Sequence, residues 1–182
     1  TAGLTAAKSA GAVVSLITRN IKIIAVGTGT YTIYRVGTGS TKLNVSGGMW
    51  YGVNKRMFDS CHYAAISGGT FSKNDSVLYA CKYAITISGG TFSGNGQVSY
   101  ACTGVTISGG IFSGNTDGLT SCTAVAVSGG VFNGSNSAVY YCTALNVSGG
   151  TFSNNLNGVT ACTAVTISGG TFSENNRDIT TS

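Results

Sequence analysis

Cys61 and His62 stand side by side in a chain of 182 residues whose only histidine is His62. A thiol beside an imidazole is raw material for a zinc site or for an activated nucleophile. A structural zinc site needs a second ligand pair at fixed spacing, and a cysteine nucleophile needs a base oriented by a third group. Neither follows in the sequence, and adjacent strand residues point to opposite faces, so the pair reads as a buried cysteine and a surface histidine. The five carboxylates, Asp59, Asp75, Asp117, Glu174 and Asp178, fall at unrelated offsets, whereas glycoside hydrolysis needs two facing one bond. Gly27-Thr28-Gly29 and Gly37-Thr38-Gly39 lack the Lys-Ser/Thr that completes a phosphate loop. The residues therefore point away from an enzyme and call for no metal and no cofactor. The net charge is +5, but the basic residues are scattered without interleaved aromatics, which argues against nucleic acid as a partner.

The cysteines carry a different message. Cys61, Cys81, Cys102, Cys122, Cys142 and Cys162 recur every 20 or 21 residues, so they mark one column of a periodic structure. They are read as reduced, buried filler, although neighbours about 5 Å apart would lie within disulfide reach. The same period governs Phe71, Phe92, Phe112, Phe132, Phe152 and Phe172, each inside a copy of S-G-G-x-F, and Asn74, Asn95, Asn115, Asn155 and Asn175 three residues later. A degenerate copy, SGGMWYGV, begins at Ser46 with Trp50 in the Phe position. Phe to Cys is always ten residues, and Cys to the next Ser is six, or seven after Cys81.

Runs such as Val105-Thr106-Ile107-Ser108 alternate apolar and hydroxyl residues, the period of a half-buried strand. Each Gly-Gly pair is expected to supply positive φ at a sharp corner, and each Asn a second corner. Leu119, Val139, Val159 and Ile179, seven after Phe, begin a third inward segment. Three short strands and three corners in about 20 residues predict an all-β chain, one parallel β-solenoid, since a repeat of that length buries its apolar face only by stacking on its neighbours. Leucine-rich repeats share the length but not this pattern.

Residues 1–20 carry no repeat and are expected to form a helical cap, residues 21–45 the irregular first coils, and residues 46–182 the regular solenoid. The repeat runs to Ser182 without a capping segment, so the last coil is expected to be open. No apolar run approaches the roughly 18 residues of a membrane span. The SGGTFSxN repeat and its Asn corner make residues 46–182 resemble the right-handed parallel β-helix class, the pectin-lyase-like solenoids of surface adhesins, tailspikes and polysaccharide lyases. The lyases of that class combine acidic calcium sites with a nearby basic residue, and no such set assembles here.

Charge gives the functional expectation. Residues 1–82 hold nine Lys/Arg against Asp59 and Asp75, and residues 83–182 hold Arg177 against three carboxylates. A rod with unlike ends suits a head-to-tail subunit that forms filaments. The expected role is a structural, extracellular or cell-surface protein that polymerises with itself, with Glu174, Arg177 and Asp178 meeting Arg19, Lys22 and Arg35 at the contact. Tyr79, Tyr100 and Tyr140, two before Cys, offer an alternative: an outward strip that stacks on glycans, as in an adhesin or tail fibre. A third reading, ice binding, rests on outward columns of Thr103, Thr123, Thr143 and Thr163 and of Thr86, Thr106 and Thr166, the latter broken by Ala126 and Asn146.

Overall fold

The computed structural model describes residues 3–4, 13–15, 21–23, 32–34, 42–52 and 56–181. The chain is an all-β parallel solenoid of about seven turns. One coil shows the pattern: Thr103–Ile107, Ile111–Ser113 and Asp117–Thr120 are its first, second and third strands. Each pairs in parallel with its counterpart one coil on, so that Val105 meets Val125, Phe112 meets Phe132 and Leu119 meets Val139. The helical cap expected over residues 1–20 lies mostly outside the described residues. Its two described pieces, Gly3–Leu4 and Val13–Ser15, are strands paired with Ile21–Ile23 and Thr32–Tyr34.

Alternation sets the first strand: Val105 and Ile107 are buried, while Thr103, Thr106 and Ser108 face solvent. The second strand contributes Phe. From Phe71 to Phe172 the rings stack with centroids 4.4 to 4.9 Å apart and planes within 8° of parallel. That separation is one strand spacing, so in-register pairing by itself brings the rings into contact. The third strand departs from alternation, because consecutive residues such as Val77 and Leu78, or Ala138 and Val139, are all fully buried. Small residues permit this: a Cβ on Gly118 would sit 3.3 Å from the Phe132 ring.

The two corner glycines have separate duties. Only the second has positive φ (Gly110, 102°). The first is Gly because of close approach, since a Cβ on Gly109 would lie 2.5 Å from the carbonyl oxygen of Ser88 on the preceding coil. The single extra residue after Cys81 is absorbed in the same way. Tyr83 takes a left-handed φ of 75°, and its carbonyl occupies the place of a Cβ on Gly104. Later coils, which lack the insertion, carry Ala124, Ala144 and Ala164 there.

Buried asparagines hold the second corner. Asn95 Oδ1 accepts from the backbone N–H and the Nδ2 of Asn74 at 3.0 and 2.9 Å, and Asn95 Nδ2 donates to the Phe71 carbonyl at 3.0 Å and to Asn115 Oδ1 at 3.0 Å. Asn155 and Asn175 repeat the arrangement. One rung is defective. Ser135 stands between Asn115 and Asn155, and its hydroxyl only accepts a 3.3 Å bond from the Asn115 N–H, with no amide to reach the Phe112 carbonyl. Ser135→Asn is expected to complete the ladder and raise stability by about 1–2 kcal/mol, roughly 2–8 °C in thermal midpoint. A lowered midpoint in thermal denaturation would contradict the ladder's role.

Candidate functional site

The solenoid displays its chemistry as columns, one side chain per rung, so each candidate is placed by its rung and its face. The six cysteines form an interior column, all buried and none in a disulfide. Each closes a corner. Cys102, Cys122, Cys142 and Cys162 donate to the carbonyl two residues earlier at 3.3 to 3.5 Å, across a residue held at positive φ (Ala101, Ser121, Tyr141, Ala161). Hydrogen bonds between neighbouring thiols push Cys81 and Cys142 up, and Cys102 up to about 12. Seen from the accepting sulfur, those bonds pull Cys122 and Cys162 down, and burial opposes them. Among the described residues no Lys, Arg or His is buried to balance a thiolate, so the column stands as protonated thiols with a structural task. Cys61 is buried, whereas His62 lies edge-on to Tyr83 at 5.1 Å near the surface.

The outer surface of the third strand is the richest in polar groups. Tyr79 and Tyr100 stack at 5.3 Å on adjacent rungs. Thr120 follows them in register, and then Tyr140. Arg56 lies 3.3 Å from the Tyr79 ring centroid and forms an ion pair with Asp59 at 3.3 Å. Beside the Tyr/Thr column runs a polar one, Ser76, Gln97, Asp117, Ser137 and Asn157 in register. Among the described residues four buried side-chain polar atoms lack a hydrogen-bond partner, and all belong to third strands: Ser76 Oγ, Asp117 Oδ1, Thr120 Oγ1 and Asn157 Oδ1. No periodic signal marks this column, since its residue type changes from rung to rung.

The remaining candidates do not converge. Among the described residues no group of three or more His, Cys, Asp or Glu is placed to hold a metal ion. Glu174, Arg177 and Asp178 are exposed on the last described coil, with Asp178 accepting a 2.9 Å bond from Asn175. Arg19 and Arg35 lie outside the described residues, and Lys22 belongs to the short strand Ile21–Ile23. The Thr columns on the first strand are exposed, and register places Ala126 and Asn146 between Thr106 and Thr166. Along the Gly-Gly corners runs an open groove of about 660 Å³, edged by exposed Met49 and Ile111. No helix among the described residues is long and apolar enough to cross a membrane.

These features define a β-solenoid repeat protein. No protein-family model, curated protein or solved structure matches the chain.

Burial pushes the Asp117 carboxyl up from its ordinary value. An acid harder to ionise in the folded state costs stability as pH rises through that shifted range, and the cost is absent below the unfolded value near 3.8. Asp117→Asn should therefore raise the thermal midpoint by a few degrees at pH 7 and leave it unchanged near pH 3. Melting curves of both proteins across that range check the sign, and a lower midpoint for the variant at pH 7 would refute it.

Proposed function

We propose that this protein is a structural subunit, an extracellular or cell-surface β-solenoid that assembles head to tail into a filament or surface appendage. The observation that supports this is the translational ladder itself. Strand edges, the Phe stack and the Asn amides all repeat along one axis with nearly identical partners on each rung. The surface that one coil turns toward its successor is thus the surface a second copy would meet, and a contact of that kind propagates without closing.

Charge adds direction. The basic first half and the acidic last coil attract, which favours one orientation of docking. From Tyr83 to Ser173 the only charged residue is Asp117, so little repulsion keeps the sides of neighbouring rods apart. Replacing Glu174 and Asp178 together with Lys is expected to abolish filaments seen by negative-stain electron microscopy while the circular dichroism of the β-rod is retained. Filaments of unchanged length and number would rule out charge-directed docking.

A second reading, a glycan-binding adhesin or tail-fibre segment, is favoured by the outward Tyr79–Tyr100 stack. Aromatic faces of this kind bury the C–H face of a sugar ring at little entropic cost.

A further inference from the structure

One residue is inserted into the repeat between Cys81 and Ile85, and beside it the structure has a hollow. On the first-strand face Tyr63 pairs with Ala84, and the next rung at that position is Gly104, because Ile85 pairs with Val105. A large ring is followed on its outward column by a methyl group and then by no side chain. The resulting hollow measures about 200 Å³ and is lined by Tyr63, Ala64, Ala65, Ala84 and Thr86. The inserted Tyr83, 62 % exposed, stacks on Tyr63 with centroids 5.8 Å apart and planes 24° from parallel, and His62 packs edge-on against Tyr83 at 5.1 Å. Tyr83 holds a left-handed φ of 75° to do so. The later coils hold Ala124, Ala144 and Ala164 at left-handed φ in the same place, two residues after Cys, so what sets this rung apart is the size of its side chain.

We propose that this hollow is a binding site for a single hexopyranose ring, the terminal or branching sugar of a glycan. The lining chooses the ligand. One flat aromatic wall and a floor of methyl groups suit the C–H face of a pyranose, and Thr86 supplies a hydroxyl at the edge. No charged side chain lines the hollow, which disfavours phosphates and carboxylates as the principal ligand. Tyr63 is the wall that touches the sugar. Tyr83 is a positioning residue that backs the wall, and Gly104 is the rung that must stay bare for the insertion to fit. The proposal rests on the glycan-binding reading, carries it with residues other than the Tyr79–Tyr100 strip, and is independent of filament formation.

Saturation-transfer NMR on the full chain tests it, with the methyl pyranosides of glucose, galactose, mannose and N-acetylglucosamine as probes at millimolar concentration. Saturation is expected to reach the ring protons of at least one of the four. It should fall at least tenfold in Tyr63→Ala and in Ala84→Leu, and stay within twofold of the parent in Leu156→Ala, an exposed residue of a later coil. Ala84 is exposed, so filling the hollow from there leaves the core intact and carries the test if Tyr63→Ala fails to fold. Absence of transfer to all four sugars, transfer that survives Ala84→Leu, or equal loss in Leu156→Ala would overturn the assignment. Filaments seen by microscopy alongside any of those results would leave the structural reading standing.

Discussion

The side-chain amide bond between Asn residues on successive coils is the interaction on which the rest of this solenoid depends. The Phe stack buries more apolar surface, and removing one of its rings would cost about 3–5 kcal/mol. Apolar contacts tolerate a shifted partner, however, and buried amides do not. An Asn95 displaced by one residue would lose Asn74, Asn115 and the Phe71 carbonyl together, and a buried polar group left unmatched costs about 1–3 kcal/mol. The Asn corner therefore fixes register, and register is what places Phe on Phe, Cys above Cys and Thr beside Thr. A slip of a single residue would turn every strand inside out.

From that constraint follows a division of labour among the faces. The second-strand column is aromatic on every rung from Trp50 to Phe172, because each ring touches its own kind above and below. Where a column changes type, the interior shows it: Ser99, buried among Leu and Val positions, uses its hydroxyl on the Cys122 sulfur at 3.5 Å. Exterior positions carry no such constraint, and there the chain varies from rung to rung. A function carried by the sides of the rod is written in those departures from the repeat, and a function carried by its axis is written in the repeat itself.

Much of the interior was legible from the sequence for the same reason. Phe, Cys and Asn recur at fixed spacing, and period alone assigned them to columns that the structure places in the core. Three things escaped it. The Gly-Gly pair looked like two positive-φ residues, yet Gly109 is glycine for want of room beside the Ser88 carbonyl, a contact between coils that no local pattern reveals. The buried polar column of Ser76, Asp117 and Asn157 has no constant residue type, so nothing in the period marks it. The extra residue after Cys81 was visible as a count, but its consequence, a raised Tyr83 over a hollow walled by Tyr63, depends on what the two adjoining coils leave empty.

Hydrogen exchange of side-chain amides, followed by NMR with each Asn assigned, tests the central claim most directly. Protons on Nδ2 of Asn95 and Asn115 should exchange as slowly as the backbone amides of the neighbouring second strands, because they open only when the coils part. Those of exposed Asn136 and Asn154 should exchange at the rate of free amides. If Asn95 and Asn115 exchange as fast as Asn136 while the strands remain protected, the amide ladder does not hold the coils in register.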